Sequence, residues 1–268
     1  MLHITARNAS HVTIDPQRAR ITCAAQLQID TDGPLAVDLA GCDRTEAVPA
    51  GKTTRRASRA CAATAGFATA GVTTRGRGLR FNARPAAGRR FDVSVFRESA
   101  GRRVLGERRV AHFRQRRGSF NWSGRGSKVG DGVYVVRYSA RLPAGRVDVR
   151  RLVVQRVKGR FRLRPDYYRR ASCGTLISYK LTRPVFGGST NRALGIAFRV
   201  ANTSRVGVTV LRGKRVVKRF KTTTRARNIT HRLRLASKRL RRGDYRVRVT
   251  VTRKGAKPLV ATLTSRRL

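Results

Sequence analysis

The run Ser119-Phe120-Asn121-Trp122-Ser123-Gly124-Arg125, followed by Gly130-Asp131-Gly132-Val133-Tyr134-Val135-Val136-Arg137-Tyr138, decides the fold. Phe120 and Trp122 stand at alternate positions, a Gly-rich stretch follows, and the segment from Gly132 resumes a period of two. An extended chain sends alternate side chains to opposite faces, so the run reads as a strand, a loop and a second strand of a small β-sandwich. Trp122 at the same parity as Phe120 is a core residue in this reading rather than a platform for stacking a ligand. The Gly124–Gly130 loop lacks the spacing of a phosphate loop and no helical pattern follows it, so it is expected to be a hairpin loop.

Working outward, the order of elements recurs. Phe91–Phe96, Arg102–Val104, Phe120–Trp122, Gly132–Arg137 and Val149–Val154 form one series. Val206–Leu211, Lys214–Phe220, Arg232–Leu235, Gly243–Val249 and Pro258–Leu263 form the other. In both, a Gly-x-Tyr step opens a long alternating strand, Gly132-Val133-Tyr134 and Gly243-Asp244-Tyr245. Short strands at regular spacing with Gly-rich turns predict an all-β chain with two tandem sandwiches. The expected division is a β-hairpin element at 1–47, a linker at 48–76, a sandwich at 77–157, a linker at 158–190 and a second sandwich at 191–268. Residues 1–47 are short for a full core of their own and read as the end of an upstream domain. Within them, Asp30-Thr31-Asp32-Gly33-Pro34 is the expected hairpin turn.

The Phe120, Trp122, Gly124 strand and the Gly132, Tyr134, Val136 strand resemble the Ig-like domain of flagellar hook-capping (FlgD-type) proteins, which also forms C-terminal tails of secreted bacterial proteins. The likeness covers roughly residues 77–157, and Ser123 stands where that family often has an acidic residue. The resemblance implies Ig-like sandwiches and an extracellular or cell-surface setting.

The chain of 268 residues holds 62 Lys and Arg against 13 Asp and Glu, for a net charge of +49. Arg supplies 52 of the cations, and they are scattered along strands rather than clustered. In Tyr245-Arg246-Val247-Arg248-Val249-Thr250-Val251 one parity is apolar and the other cationic, the pattern of a half-buried strand with a solvated Arg face. Such faces attract any polyanion in a salt-dependent way, including nucleic acid at low salt. No recognised nucleic-acid motif accompanies them.

Cys23, Cys42, Cys61 and Cys173 make an even count with no Cys-x-x-Cys pair, which favours disulfides over zinc. Cys23 with Cys42, and Cys61 with Cys173, are the candidate bridges. The first residues carry no signal-peptide core and no apolar run is long enough to span a bilayer. The cysteines and the resemblance nevertheless point outside the cell, which is reconciled if the chain continues a longer exported precursor or its start is mis-assigned.

Catalytic groups are scarce. His3, His11, His112 and His231 fall in no metalloprotease frame. Asp15, Asp30, Asp32, Asp38 and Asp43 match no calcium loop, and Asp30 and Asp32 suit a turn. No catalytic residue, cofactor or metal is expected. The sequence therefore predicts a non-enzymatic extracellular or cell-surface module, a spacer, anchor or stabilising tail. Its expected partners are anionic envelope polymers or an attached upstream domain. The alternatives are an intracellular nucleic-acid-binding protein and an accessory C-terminal fragment of a secreted hydrolase.

Overall fold

The computed structural model describes residues 1–16, 18–21, 25–40, 42, 44–55, 66–86, 88–142, 147–172, 174–253 and 256–268. The described chain is all-β, six sheets arranged around three apolar cores.

In the N-terminal unit, β1 (Leu2–Ala6) runs parallel to β3 (Leu27–Thr31), which pairs antiparallel with β6 (Gly51–Arg55). The second sheet repeats the arrangement with β2 (His11–Ile14), β4 (Leu35–Leu39) and β5 (Arg44–Val48). The expected hairpin is therefore corrected, because β3 and β4 lie in different sheets. Leu27, Ile29, Leu35, Val37 and Leu39 are all at most 2% exposed. Side by side in one sheet they would leave a bare apolar face, whereas across a turn they cover each other. Asp32 holds that crossing by accepting the Asn8 N–H, and Thr31 Oγ1 donates to Gly33 O at 3.0 Å. The element also has a core of its own, closed by Cys42, Val48 and Ala6.

The first sandwich comprises β7 (Phe67–Arg75), β8 (Gly78–Pro85), β9 (Phe91–Ala100), β10 (Arg103–Arg116), β11 (Phe120–Trp122), β12 (Gly132–Arg141), β13 (Val147–Val157) and β14 (Arg160–Arg164). Its sheets have the orders β10-β9-β12-β13-β14 and β11-β8-β7. The second comprises β15 (Tyr168–Arg169), β16 (Leu176–Leu181), β17 (Val185–Phe186), β18 (Leu194–Val200), β19 (Ser204–Arg212), β20 (Arg215–Arg225), β21 (His231–Leu235), β22 (Gly243–Arg253) and β23 (Ala256–Arg267). Its orders are β20-β19-β22-β23-β17 and β21-β18-β16-β15. Laid together, β9-β10-β11-β12-β13 correspond to β19-β20-β21-β22-β23, and β8 and β7 to β18 and β16. Each unit also has a tyrosine corner of the Ig-like kind, in which the Tyr hydroxyl ties the turn before its own strand. Tyr134 donates to Gly130 O, and Tyr245 donates to Arg241 O at 2.7 Å.

Two segments expected as linkers contain strands. Residues 48–76 hold β6 and β7, and residues 158–190 hold β14 to β17. The sheets need them: β7 completes the sheet of β8 and β11, and β16 borders β18. The Gly124–Gly130 loop is not a hairpin either, because β11 pairs with β8 while β12 lies between β9 and β13. It carries the chain from one sheet to the other.

The central strand β12 is buried on both faces. Tyr134, Val136 and Tyr138 point into the core of the first sandwich, and Val133 and Val135 join the core of the second. Val104 and Val153 belong to that second cluster too, so one apolar body runs from the first sandwich into the next. Ser189 N–H donates to Arg102 O at 3.1 Å across this seam, and Arg164 and Arg266 both pair with Asp244.

Candidate polyanion-binding faces

The motif residues are buried in the first and second cores or, like Phe120 and Trp122, half-buried against them. Trp122 stacks near-parallel on Phe81 with 6.4 Å between centroids and also packs against Phe113 and Phe161. Phe120 lies 4.8 Å from Phe81. Gly124 has φ +68, and a Cβ there would overlap Arg77 O and stand 2.8 Å from Phe161 Cε2. Tyr245 and Val136 are at most 1% exposed.

The four histidines are not brought together. His3, His11, His112 and His231 stand on four different sheets. His112 Nδ1 is 2.9 Å from Ser94 Oγ, and His231 packs on Phe198. The N-terminal aspartates serve locally: Asp30 pairs with Arg7, Asp38 accepts from Thr45, and Asp32 secures the turn. Asp43 lies outside the described residues. So do Cys23, Cys61 and Cys173; Cys42 is buried and disulfide-bonded.

Glu98 escaped sequence reading. It is 3% exposed on β9, on the face turned toward the second sandwich. Burial first, then the charge of Glu107, push its carboxyl up from 4.5 to about 7, against the opposing pull of Arg183. The folded protein thus holds this proton more tightly than the unfolded chain. Its contribution to stability is full below pH 4.5 and lost as pH climbs through about 7. The cost of ionisation is on the order of 3 kcal/mol. Thermal midpoints are expected to fall between about pH 5 and 8, and Glu98→Gln should level that slope. An unchanged slope in Glu98→Gln would assign the fall to other groups.

The abundant chemistry is cationic. With 13 carboxylates for 62 basic residues, most cations have no carboxylate available. Several carboxylates are committed to ion pairs, among them Asp148 with Arg150 at 2.7 Å and Glu107 with Arg137 at 3.1 Å. The backbone N–H of Gly159 holds the Asp131 carboxyl below its usual range. The outward parity of the strands carries many of the others. Arg246 and Arg248 on β22, Arg215, Lys218 and Arg219 on β20, and Arg160 and Arg162 on β14 are exposed. Their inward neighbours Val247 and Val249 are fully buried, so alternation itself displays the charge.

On the sheet β21-β18-β16-β15 this display becomes concave. On the central strand β18 the outward residues Gly195 and Ala197 are small, with Arg199 following at the same parity toward the end of the strand. Lys180 and Thr182 flank the two small residues from the β16 side, and Arg232 and Arg234 from β21. The result is an open trough of about 770 Å³ that Arg183 and Arg192 also line. Gly195 is demanded by its neighbour: a Cβ would overlap Thr182 Cγ2, and its N–H donates to Thr182 Oγ1 at 3.1 Å. The signal in the sequence was the alternation Leu194-Gly195-Ile196-Ala197-Phe198, large inward and small outward.

No family model matches the chain, and no curated protein matches it. Among solved structures, it is similar to a tetra-tandem repeat in the extending region of a large adhesion protein. Identity there is 16% and the TM-score 0.28, over 84% of this chain and 55% of that one. A structure bearing on host cell surface retention of a 1.5-MDa bacterial ice-binding adhesin gives 12% and 0.24, over 70% and 56%. The BSP domain of a biofilm associated protein gives 13% and 0.23, over 72% and 29%. The chain spans about half the length of the first two and less of the third. At these scores the likeness decides neither fold nor function, which rest on the strand order and side chains described above.

Proposed function

We propose that this chain is a non-enzymatic extracellular or cell-surface module, a spacer, anchor or stabilising tail whose Arg-rich faces hold anionic envelope polymers. The observation that carries the reading is the outward parity of the sandwich strands. It is cationic on strand after strand, while the inward parity closes continuous apolar cores. The joined cores support a spacer role, since sandwiches sharing an apolar seam resist bending between units better than units on a flexible linker. The disulfide at Cys42 supports an oxidising setting. The resemblance to FlgD-type tail domains, carried by Phe120, Trp122, Gly132 and Tyr134, agrees with it.

Binding of this kind is Coulombic, with the screening length near 10 Å at about 0.1 M salt and 3 Å at about 1 M. The test is titration of the full chain with polygalacturonate and with single-stranded DNA across a salt series. Polygalacturonate should bind at low salt and be released by about 0.5 M. No binding at low salt would overturn the reading. Tighter DNA binding at every salt concentration would transfer it to the nucleic-acid alternative.

A further inference from the structure

We propose that the trough over β18 is a dedicated site for a single extended chain of an acidic polysaccharide. The inference rests on the polyanion reading above and adds to it a place, a ligand shape and a set of residues.

Three features of the trough, taken together, point to such a ligand. The first is its form. Adjacent strands stand about 4.8 Å apart, so rails on β16 and β21 with small residues between them leave a slot about 10 Å wide. That width admits one extended chain. Along each rail, same-face positions repeat about every 7 Å, which suits a polymer bearing charge on successive units. A convex Arg face can attract such a chain but cannot bound it on two sides.

The second is the state of its charges. Lys180, Arg183, Arg192, Arg232 and Arg234 line the trough and no carboxylate does. The side chains of Lys180, Arg192, Arg232 and Arg234 make no hydrogen bond or ion pair within the described residues. Like charges gathered around a concavity repel one another, and the field they share is relieved by a bound anion.

The third is what the lining lacks. Sequence-tolerant recognition of single-stranded nucleic acid depends on aromatic side chains stacking under the bases. The trough has none. It offers Thr182, Thr190 and Asn191 instead, hydroxyl and amide groups that hydrogen-bond sugar hydroxyls. Between the two polyanions, the lining fits the glycan.

The deciding variant leaves the charge untouched. Ala197 is 8% exposed, in register with Lys180 on one side and Arg232 on the other, so Ala197→Leu raises the floor between the rails without altering net charge. The experiment measures oligogalacturonate binding to the full chain at about 0.15 M salt, with far-UV circular dichroism and thermal midpoint as checks on folding. Wild type is compared with Ala197→Leu, with Arg232→Gln/Arg234→Gln, and with Arg246→Gln/Arg248→Gln on β22. The expected result is a loss of at least about tenfold for the first two variants and under about threefold for the third, which removes the same charge elsewhere. Equal losses from the two Gln pairs, with Ala197→Leu binding as wild type, would overturn the trough while leaving diffuse polyanion binding intact. No binding by wild type would overturn the polyanion reading itself. Single-stranded DNA of matched charge losing affinity in Ala197→Leu, with the glycan unaffected, would overturn the choice of ligand.

Discussion

Phe186→Ala is expected to destabilise both sandwiches together, although Phe186 lies in the second. Its ring is fully buried and meets Tyr245 edge to face at 5.5 Å. Truncating a buried Phe costs about 3–5 kcal/mol through lost transfer free energy and the cavity left behind. For a body of this size that is roughly 10 °C in thermal midpoint. The coupling follows from the core, because the cluster holding Phe186 also contains Val104, Val133, Val135 and Val153 of the first sandwich. The segment just after Phe186 docks on the β9–β10 turn, where Ser189 N–H donates to Arg102 O. The chain has one Trp, Trp122, in the first sandwich. Its fluorescence therefore reports on one unit and circular dichroism on all. In Phe186→Ala the Trp122 transition should move down in step with the circular dichroism transition. A Trp122 midpoint that stays at the wild-type value while circular dichroism splits in two would show that the sandwiches unfold independently and that the seam adds nothing.

The legible part of this molecule is the part written in local alternation. In β22 the parity of Tyr245, Val247, Val249 and Val251 predicts burial, and these four are at most 2% exposed. Likewise the paired Gly-x-Tyr steps mark equivalent strands, whose tyrosine corners follow. Pairing between strands was not legible in the same way. A turn such as Asp30–Pro34 has the same residues whether the chain returns beside itself or crosses to the facing sheet. The choice is made by partners far along the chain, here β1 and β2. Strand β7 is not legible in the sequence because Phe67-Ala68-Thr69-Ala70-Gly71-Val72 is thin in bulky apolar residues. It earns its place by covering the wide aromatic face around Phe81 and Tyr138.

The trough shows the limit most clearly. One rail contains Lys180 and the other Arg232 and Arg234, and only the β16-β18-β21 order places them on either side of Gly195 and Ala197. Glu98 is hidden for a related reason. A Glu in Val95-Phe96-Arg97-Glu98 reads as a solvated residue on an outward face, and that face is outward only until the second sandwich covers it.

Gly132→Ala is expected to be among the most damaging single-methyl additions, and the repeat supplies its own control. Gly132 and Gly243 open β12 and β22 at equivalent positions, and both adopt φ values that L side chains rarely take, +151 and +133. If backbone conformation alone mattered, Ala at either site would cost a similar amount, about 1–3 kcal/mol. The surroundings differ. At Gly132 a Cβ would overlap the Ser99 carbonyl oxygen and lie 3.0 Å from its carbon, both backbone atoms of β9. Ser99 is fixed in turn, because Val133 N–H donates to its Oγ at 2.9 Å and the residue is 1% exposed. Relief requires β9 and β12 to separate where β12 is buried on both faces. At Gly243 the nearest atom is Arg212 Nε at 3.4 Å, the far end of a flexible side chain that can swing away. Denaturant midpoints should therefore fall much further for Gly132→Ala, with a loss above about 3 kcal/mol, than for Gly243→Ala, at about 1–2 kcal/mol. Equal losses would mean that φ alone sets the cost at both sites. The close approach of β9 to the start of β12 would then carry no weight in the stability of the first sandwich.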